Sequence, residues 1–68
     1  MLVIRKIIST TGDKAIAEIQ VDTASELTTS ANGYTFASGT IAWVVQTGAF
    51  YALSGDTWYN QDGTGTYL

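Results

Sequence analysis

Short apolar runs separated by Gly-containing breaks dominate the pattern of this chain, and they predict strands rather than helices. Leu2 to Ile8 is rich in β-branched residues and predicts a first strand, with a turn at Thr10 to Asp13. The alternation from Ala15 to Val21 predicts a second strand. One of its sides carries Ala15, Ala17, Ile19 and Val21, and the other carries Ile16, Glu18 and Gln20. A helix with Asp13 as its N-cap is the alternative, because most of these residues tolerate helix.

Most of the large aromatic residues lie between Ile41 and Tyr59, including both tryptophans. This stretch predicts a three-stranded antiparallel meander, with strands at Ile41–Val45, Phe50–Leu53 and Thr57–Tyr59. The first break predicts a tight hairpin and the second, Ser54 to Asp56, a return turn.

The hairpin has a consequence for the two faces of the meander. With Thr47-Gly48 as a two-residue loop, Val45 faces Phe50 and Trp43 faces Ala52. One face then carries Ile41, Trp43, Val45 and Phe50, and the other carries Ala42, Val44, Tyr51 and Leu53. Antiparallel sheets commonly keep one face polar. Since both faces are apolar here, one must be covered by the rest of the chain or by another chain.

The connecting segments carry turn and cap signals. Thr23 and Glu26 have the spacing of a capping box, which predicts one turn of helix. Asn32-Gly33 predicts a tight turn, and Tyr34–Phe36 a brief strand after it. The polar segment after Asn60 is not predicted to be ordered by a core, although its final apolar residues can dock on this chain or a neighbour.

The predicted fold class is therefore mostly β, in one small domain. Its parts are an N-terminal β-hairpin over residues 1–21, a helical turn and loop over 22–33, the meander over 34–60 and a tail over 61–68. We predict a core of Ile41, Trp43, Val45, Phe50 and Trp58. We predict subunit contacts through Val44, Tyr51, Leu53, Tyr67 and Leu68.

Composition makes self-association part of the prediction. The chain has 68 residues, of which 46% are hydrophobic and 13% charged, against about 25% charged in ordinary domains. Small domains are commonly stabilised by disulfides, a metal or oligomerisation. Without cysteine or histidine, disulfides are excluded and a zinc site is disfavoured. We therefore expect a homo-oligomer without a cofactor.

Charge and hydropathy argue against nucleic-acid and membrane partners. The formal net charge is −3, and Arg5, Lys6 and Lys14 are the only cationic side chains, so no basic track for a phosphate backbone is expected. Leu2–Ile8 is interrupted by two of these charges and is too short for a signal core or a membrane span. We expect a chain made in the cytoplasm without a targeting segment.

No catalytic constellation is visible. Acyl-transfer sites usually need a base such as histidine beside the nucleophile, and the carboxylates lie mostly in turns and caps. Asn60–Gly63 is faintly like a calcium loop but lacks the remaining acidic ligands. Gly63–Gly65 has no following helix to form a phosphate loop. We expect a protein that is not an enzyme and holds no metal.

A carbohydrate- or host-receptor-binding module is the alternative function. Trp43, Trp58 and Tyr59, flanked by asparagine and glutamine, have the composition of a sugar-stacking platform. The competing interpretation is that these aromatic residues form the core.

A resemblance to a known class of proteins covers about residues 26–63. The runs Leu27–Trp43, Thr47–Tyr51 and Asp56–Tyr59 resemble small virion proteins of tailed bacteriophages. The shared pattern is a Gly-Tyr-Thr-Phe entry, a glycine before an apolar strand, a Thr-Gly hairpin and a closing tryptophan. Where such proteins frequently have proline in the turns before the meander, this chain has Thr29 or Ser38.

The resemblance implies a structural component of the head-decoration or head-fibre type. Such proteins are commonly homo-oligomeric and often trimeric. By this resemblance the partners are other copies of the chain and the major capsid protein or another virion protein. The implied location is the capsid surface, after synthesis in the host bacterial cytoplasm.

Overall fold

The computed structural model describes all 68 residues, Met1 to Leu68, as one mixed β-sheet with a single turn of 3-10 helix. The mostly β fold with its N-terminal hairpin, helical turn and meander is confirmed. The strands are β1 (Val3–Thr11), β2 (Lys14–Val21), β3 (Ser30–Ala31), β4 (Tyr34–Phe36), β5 (Ile41–Val44), β6 (Ala49–Ser54) and β7 (Thr57–Asn60), and the 3-10 turn is Ala24–Glu26.

The first strand is longer than predicted and is bulged twice. Its pairing with β2 shifts at Arg5 and again at Ile8, so that each adds one unpaired residue. Ile4 and Ile7 are three residues apart, and a regular strand would place them on opposite faces. The bulge at Arg5 lets both pack against the core, with Ile7 opposite Ala17.

The second strand is the centre of the sheet. Its predicted alternation is confirmed, and the helical alternative is wrong. One edge of β2 pairs antiparallel with β1. The other edge is divided between two parallel partners, β4 at Lys14–Ala15 and β5 at Glu18–Val21. No local sequence pattern predicts these parallel pairings.

The segment between β2 and β4 packs over one face of the sheet. The predicted helical turn is present, and the Glu26 carboxylate accepts hydrogen bonds from the amides of Asp22 and Thr23 at 2.8 and 2.9 Å. Further along, the indole N–H of Trp58 donates to the carbonyl of Thr28 at 3.2 Å. This bond ties the segment to the last strand of the meander.

The tight turn predicted at Asn32-Gly33 is also confirmed. These two residues connect β3 to β4, with Ala31 opposite Tyr34. Their φ angles are 54° and 85°, as a two-residue hairpin turn with positive φ at both positions requires.

The meander is present, but its predicted first pairing is wrong by two residues. Trp43 lies opposite Phe50 rather than Ala52, and the connection is four residues long, from Val45 to Gly48. The cause is the parallel ladder. The amide of Val45 continues this ladder onto the carbonyl of Val21 at 2.9 Å, and the amide of Gln46 donates to the carbonyl of Asp22 at 3.0 Å. The Gln46 amide is therefore unavailable for the bond to Ala49 that would close a two-residue hairpin.

A shift of two residues leaves each side chain on its predicted face, but the core lies on the other face. Trp43, Val45 and Phe50, predicted as core, are exposed, and Ile41 is half-buried. Val44, Tyr51 and Leu53, predicted as subunit contacts, are buried within the chain. Trp58 is buried, as predicted. The core consists of Ala17, Ile19, Val21, Phe36, Ala42, Val44, Tyr51, Leu53 and Trp58.

Pairing with β2 explains this choice of face. Ala42 and Val44 lie beside Ile19 and Val21, whose face is closed by the rest of the chain, whereas Trp43 lies beside Gln20. Neighbours across a ladder share a face. The clear alternation of β2 therefore decides which apolar face of the meander is inside.

A buried hydroxyl occupies the fork where the edge of β2 changes partners. Thr40 is fully buried and is the only buried polar residue. Its Oγ1 accepts from the amide of Ala17 at 3.3 Å and donates to the carbonyl of Ala37 at 2.9 Å, with the carbonyl of Ala15 at 3.3 Å. The hydroxyl of Thr40 thus replaces the backbone acceptor that the amide of Ala17 lacks between the two parallel partners of β2.

Replacing Thr40 with valine is expected to destabilise the fold by about 1–3 kcal/mol, because the amide of Ala17 is then buried without an acceptor. Valine keeps the shape and removes only the hydroxyl. Thr40→Ser keeps the hydroxyl and is the matched control, with a smaller loss. Denaturant titration followed by tryptophan fluorescence measures both. Equal stability of Thr40→Val and wild type would contradict this account.

Candidate functional site

The exposed side of the meander is the candidate site. We call it the outer face and define it by Ile41, Trp43, Phe50, Ala52, Tyr59 and Tyr67. Trp43 and Tyr59 are each 38% exposed and Phe50 is 52% exposed. Large apolar side chains that stay this accessible on adjacent strands form a patch, and such patches mark contact surfaces.

Trp43 stands at the centre of the outer face between two neighbours. On the β6 side, its ring stacks with Phe50, with centroids 6.1 Å apart and an interplanar angle of 14°. Towards β1, the guanidinium of Arg5 lies 5.9 Å from the ring centroid, within range of a cation–π interaction. Arg5 is held there by a 3.0 Å hydrogen bond from Nη1 to Oε1 of Gln20.

The end of the chain extends this face by one more strand position. Tyr67 forms an antiparallel bridge with Tyr59, and their rings are 5.6 Å apart. The amide of Asn60 donates to Thr66 at 2.7 Å, and that of Leu68 donates to Trp58 at 3.0 Å. Tyr67 and Leu68, predicted to contact a subunit, are exposed and dock on their own chain here.

The geometry weakens the sugar-stacking alternative. Trp58 is 4% exposed, so it offers no ring face to a ligand. Trp43 has neighbours on both sides, Arg5 and Phe50. Of the three residues in the predicted platform, Tyr59 alone is neither buried nor flanked on both sides. Its ring already packs against that of Tyr67.

Away from the outer face, the surface has one depression. Its volume is about 250 Å³, and it is lined by Ser9, Thr11, Lys14, Ala15, Ile16 and Ala37. It is smaller than typical ligand pockets of about 300–1,000 Å³, and Lys14 is its single ionisable group. No three residues among the carboxylates are grouped to hold a metal ion.

The ion pairs of the chain join Met1 to Asp22, which precedes the 3-10 turn, and to Glu26 at the end of the turn. The Met1 ammonium contacts the carboxylates of Asp22 and Glu26. The hydrogen bond from the ammonium to the Glu26 carboxylate, and to a smaller extent the bond from the Thr23 amide, lower the pKa of Glu26 below its ordinary value of 4.5. Hydrogen bonds to Asp22 and then Glu26 raise the pKa of the ammonium above 8.0.

Three features of the structure are not predicted from the sequence. Two lie on the outer face, the contact of Arg5 with Trp43 and the pairing of Tyr67 with Tyr59. The third is the buried hydroxyl of Thr40 at the fork of β2. Arg5 reaches Trp43 across β2, a neighbour relation that depends on the unpredicted parallel pairing of β2 and β5. The Gly/Thr composition of the tail gave no pairing signal.

None of the helical structure is long and apolar enough to cross a membrane. Comparisons with protein-family models, with curated proteins and with solved structures find no match for this chain.

The Glu26 contacts predict a pH dependence of stability. A carboxylate whose pKa is lower in the folded chain than in the unfolded chain stabilises the fold at pH values above its unfolded-state pKa. This stabilisation is lost as the pH falls through the folded-state pKa. Glu26→Gln keeps the acceptor oxygen and removes the charge. Between about pH 6 and pH 3, the interval in which carboxylates titrate, we expect the melting temperature of the wild type to fall further than that of Glu26→Gln.

Asp13→Asn is the control for the Glu26 measurement. Asp13 is an exposed turn carboxylate without a contact to the ammonium. This variant is expected to follow the wild-type curve. Parallel curves for wild type and Glu26→Gln would refute the role of the charge.

Proposed function

We propose that this chain is a non-enzymatic structural protein that self-associates through its outer face. As a biological setting, we propose the virion of a tailed bacteriophage, with the chain on the capsid surface and bound to the major capsid protein or another virion protein. The observation that carries the first statement is the accessible stack of Trp43 on Phe50, extended by Tyr59 and Tyr67.

The outer face has the composition of a protein contact surface. Its centre is aromatic and uncharged, and Arg5, Gln20 and Gln61 lie at its border. Interfaces favour aromatic residues and arginine at an apolar core with a polar rim. Trp and Tyr side chains are also the commonest anchors of binding energy.

The small size of the core supports association in a second way. Only 11 of the 68 residues are buried, and the chain has neither a cysteine for a disulfide nor a cluster of three metal-ligating side chains. Covering Trp43 and Phe50 with another copy would bury apolar surface without any change in the fold. The resemblance of residues 26–63 to phage head proteins favours a trimer.

The capsid setting rests on that resemblance. It covers residues 26–63, from the end of the 3-10 turn to just past β7, and this range includes Trp43, Phe50 and Tyr59 of the outer face. Phage particles purified from an infected bacterial culture that expresses the gene are each expected to contain many copies of the chain. Quantitative mass spectrometry measures this, and absence from the particles would contradict the setting while leaving self-association open.

We expect Phe50→Ser to weaken self-association by about 30-fold or more, because truncating a central aromatic anchor commonly costs 2 kcal/mol or more. Ile8→Ser is the matched control. Ile8 is 53% exposed, like Phe50 at 52%, but it lies on β1, separated from β6 by β2 and β5.

Light scattering after size-exclusion chromatography, over a range of concentrations, gives the mass of each variant. Wild type and Ile8→Ser are expected to be oligomeric where Phe50→Ser is monomeric. A wild-type chain that stays monomeric throughout would overturn the proposal. Glycan titration of tryptophan fluorescence then becomes the next measurement, since the aromatic surface would need another partner.

A further inference from the structure

The last segment of the chain, Gln61 to Leu68, is attached to the body by few contacts. Every residue in it is exposed, and none belongs to the core. It is attached to the rest of the chain by backbone hydrogen bonds to Phe50, Asn60 and Trp58, by a bond from the Gln61 side chain to the carbonyl of Tyr59 and by the ring contact between Tyr67 and Tyr59. Releasing residues 66–68 would therefore expose little apolar surface.

The edge of β7 is what this segment covers. One edge of β7 pairs with β6 through four residues. The other edge receives Thr66 to Leu68, in an antiparallel bridge centred on Tyr67. An uncovered strand edge offers unpaired amides and carbonyls and is a template for another strand. The structure thus displays one segment that fits this edge.

The connection between the edge and the segment is a compact, hinge-like turn. Asp62 Oδ1 accepts hydrogen bonds from the amide and the hydroxyl of Thr64, at 2.9 and 2.6 Å. Gly63 and Gly65 have φ of 88° and 76°, a region that glycine enters at little cost. Their freedom lets the turn open without strain elsewhere.

We infer that Thr66–Leu68 is an exchangeable strand, which pairs with β7 of its own chain in the free protein and with β7 of a second copy in the assembled state. The inference rests on the self-association proposed above, since exchange needs copies held close together. The same hydrogen bonds and the same ring contact form in either arrangement. Exchange of an identical element is a low-cost route to association.

The balance between the two arrangements depends on concentration. Within one chain, a short linker gives the segment an effective concentration on the order of millimolar. The intrachain arrangement therefore dominates in dilute solution. Exchange competes when neighbouring copies reach a similar local concentration, as they do in a ring or on a shell.

Single-cysteine variants test the exchange directly, because the natural chain has no cysteine. Tyr59 and Tyr67 form a pair without mutual backbone hydrogen bonds, and such pairs have Cα atoms about 4.5 Å apart, within disulfide range. Tyr59→Cys chains are mixed with tagged Tyr67→Cys chains, and after oxidation the tag separates mixed dimers from homodimers on a non-reducing gel.

Tyr59→Cys mixed with tagged Ser9→Cys is the matched control. Ser9 is exposed on β1, at a different edge of the sheet, and reports chance collisions. At protein concentrations near the millimolar effective concentration, we expect the 59–67 mixed dimer to exceed the 59–9 dimer several-fold. The excess is expected to fall on dilution. Equal yields of the two mixed dimers would overturn the exchange.

The double variant Tyr59→Cys/Tyr67→Cys separates this inference from the proposed function. Oxidised in dilute solution, it locks the segment onto its own β7. A locked chain that is monomeric, beside a reduced chain that associates, supports exchange. Association of the locked chain as strong as that of the reduced chain overturns exchange and leaves self-association through the outer face intact. If neither form associates although wild type does, the two tyrosines of the outer face are themselves needed for association, as the proposed function expects, and the mixed-dimer yields decide on exchange.

Discussion

The divided edge of β2 is the constraint on which the rest of the structure depends. β2 is paired along one edge with β1 and along the other with β4 and then β5. Two parallel strands cannot both continue along one edge, so a gap arises where one ends and the other begins. Thr40 fills this gap with its hydroxyl, which serves the amide of Ala17 on one side and a carbonyl on the other. Because buried backbone groups must be paired, the fork needs a side chain of this kind at this position.

The fork also determines which face of the meander becomes the core. Once β5 runs parallel to β2, Val44 lies beside Val21 and Trp43 lies beside Gln20. The small Ala42 and Val44 then fit under the segment that carries the 3-10 turn, while the large Trp43 points away from it. Tyr51 and Leu53 follow the same face through their antiparallel pairing. The exposure of the aromatic stack is thus a consequence of the parallel pairing of β5 with β2.

Local signals in the sequence were sufficient for the elements and not for their arrangement. The alternation over Ala15–Val21, the capping spacing of Thr23 and Glu26 and the Asn32-Gly33 turn each depend on neighbours within a few residues, and each is present in the structure. The parallel pairing of β2 with β5 joins residues more than 20 positions apart and has no local signature. Without it, two apolar faces of similar composition are indistinguishable, and the local pattern wrongly predicts Trp43 and Phe50 to be core residues.

The two candidate modes of association use different parts of the same sheet. The outer face offers side chains, and its use would leave every backbone hydrogen bond in place. The β7 edge offers backbone groups that Thr66–Leu68 already satisfies, so a neighbour gains access only by exchange. Both lie on the side of the molecule where Tyr59 and Tyr67 meet. An assembly that buried Trp43 and Phe50 would therefore bring the tails of neighbouring copies towards one another, and contact through the face would raise the local concentration that strand exchange requires.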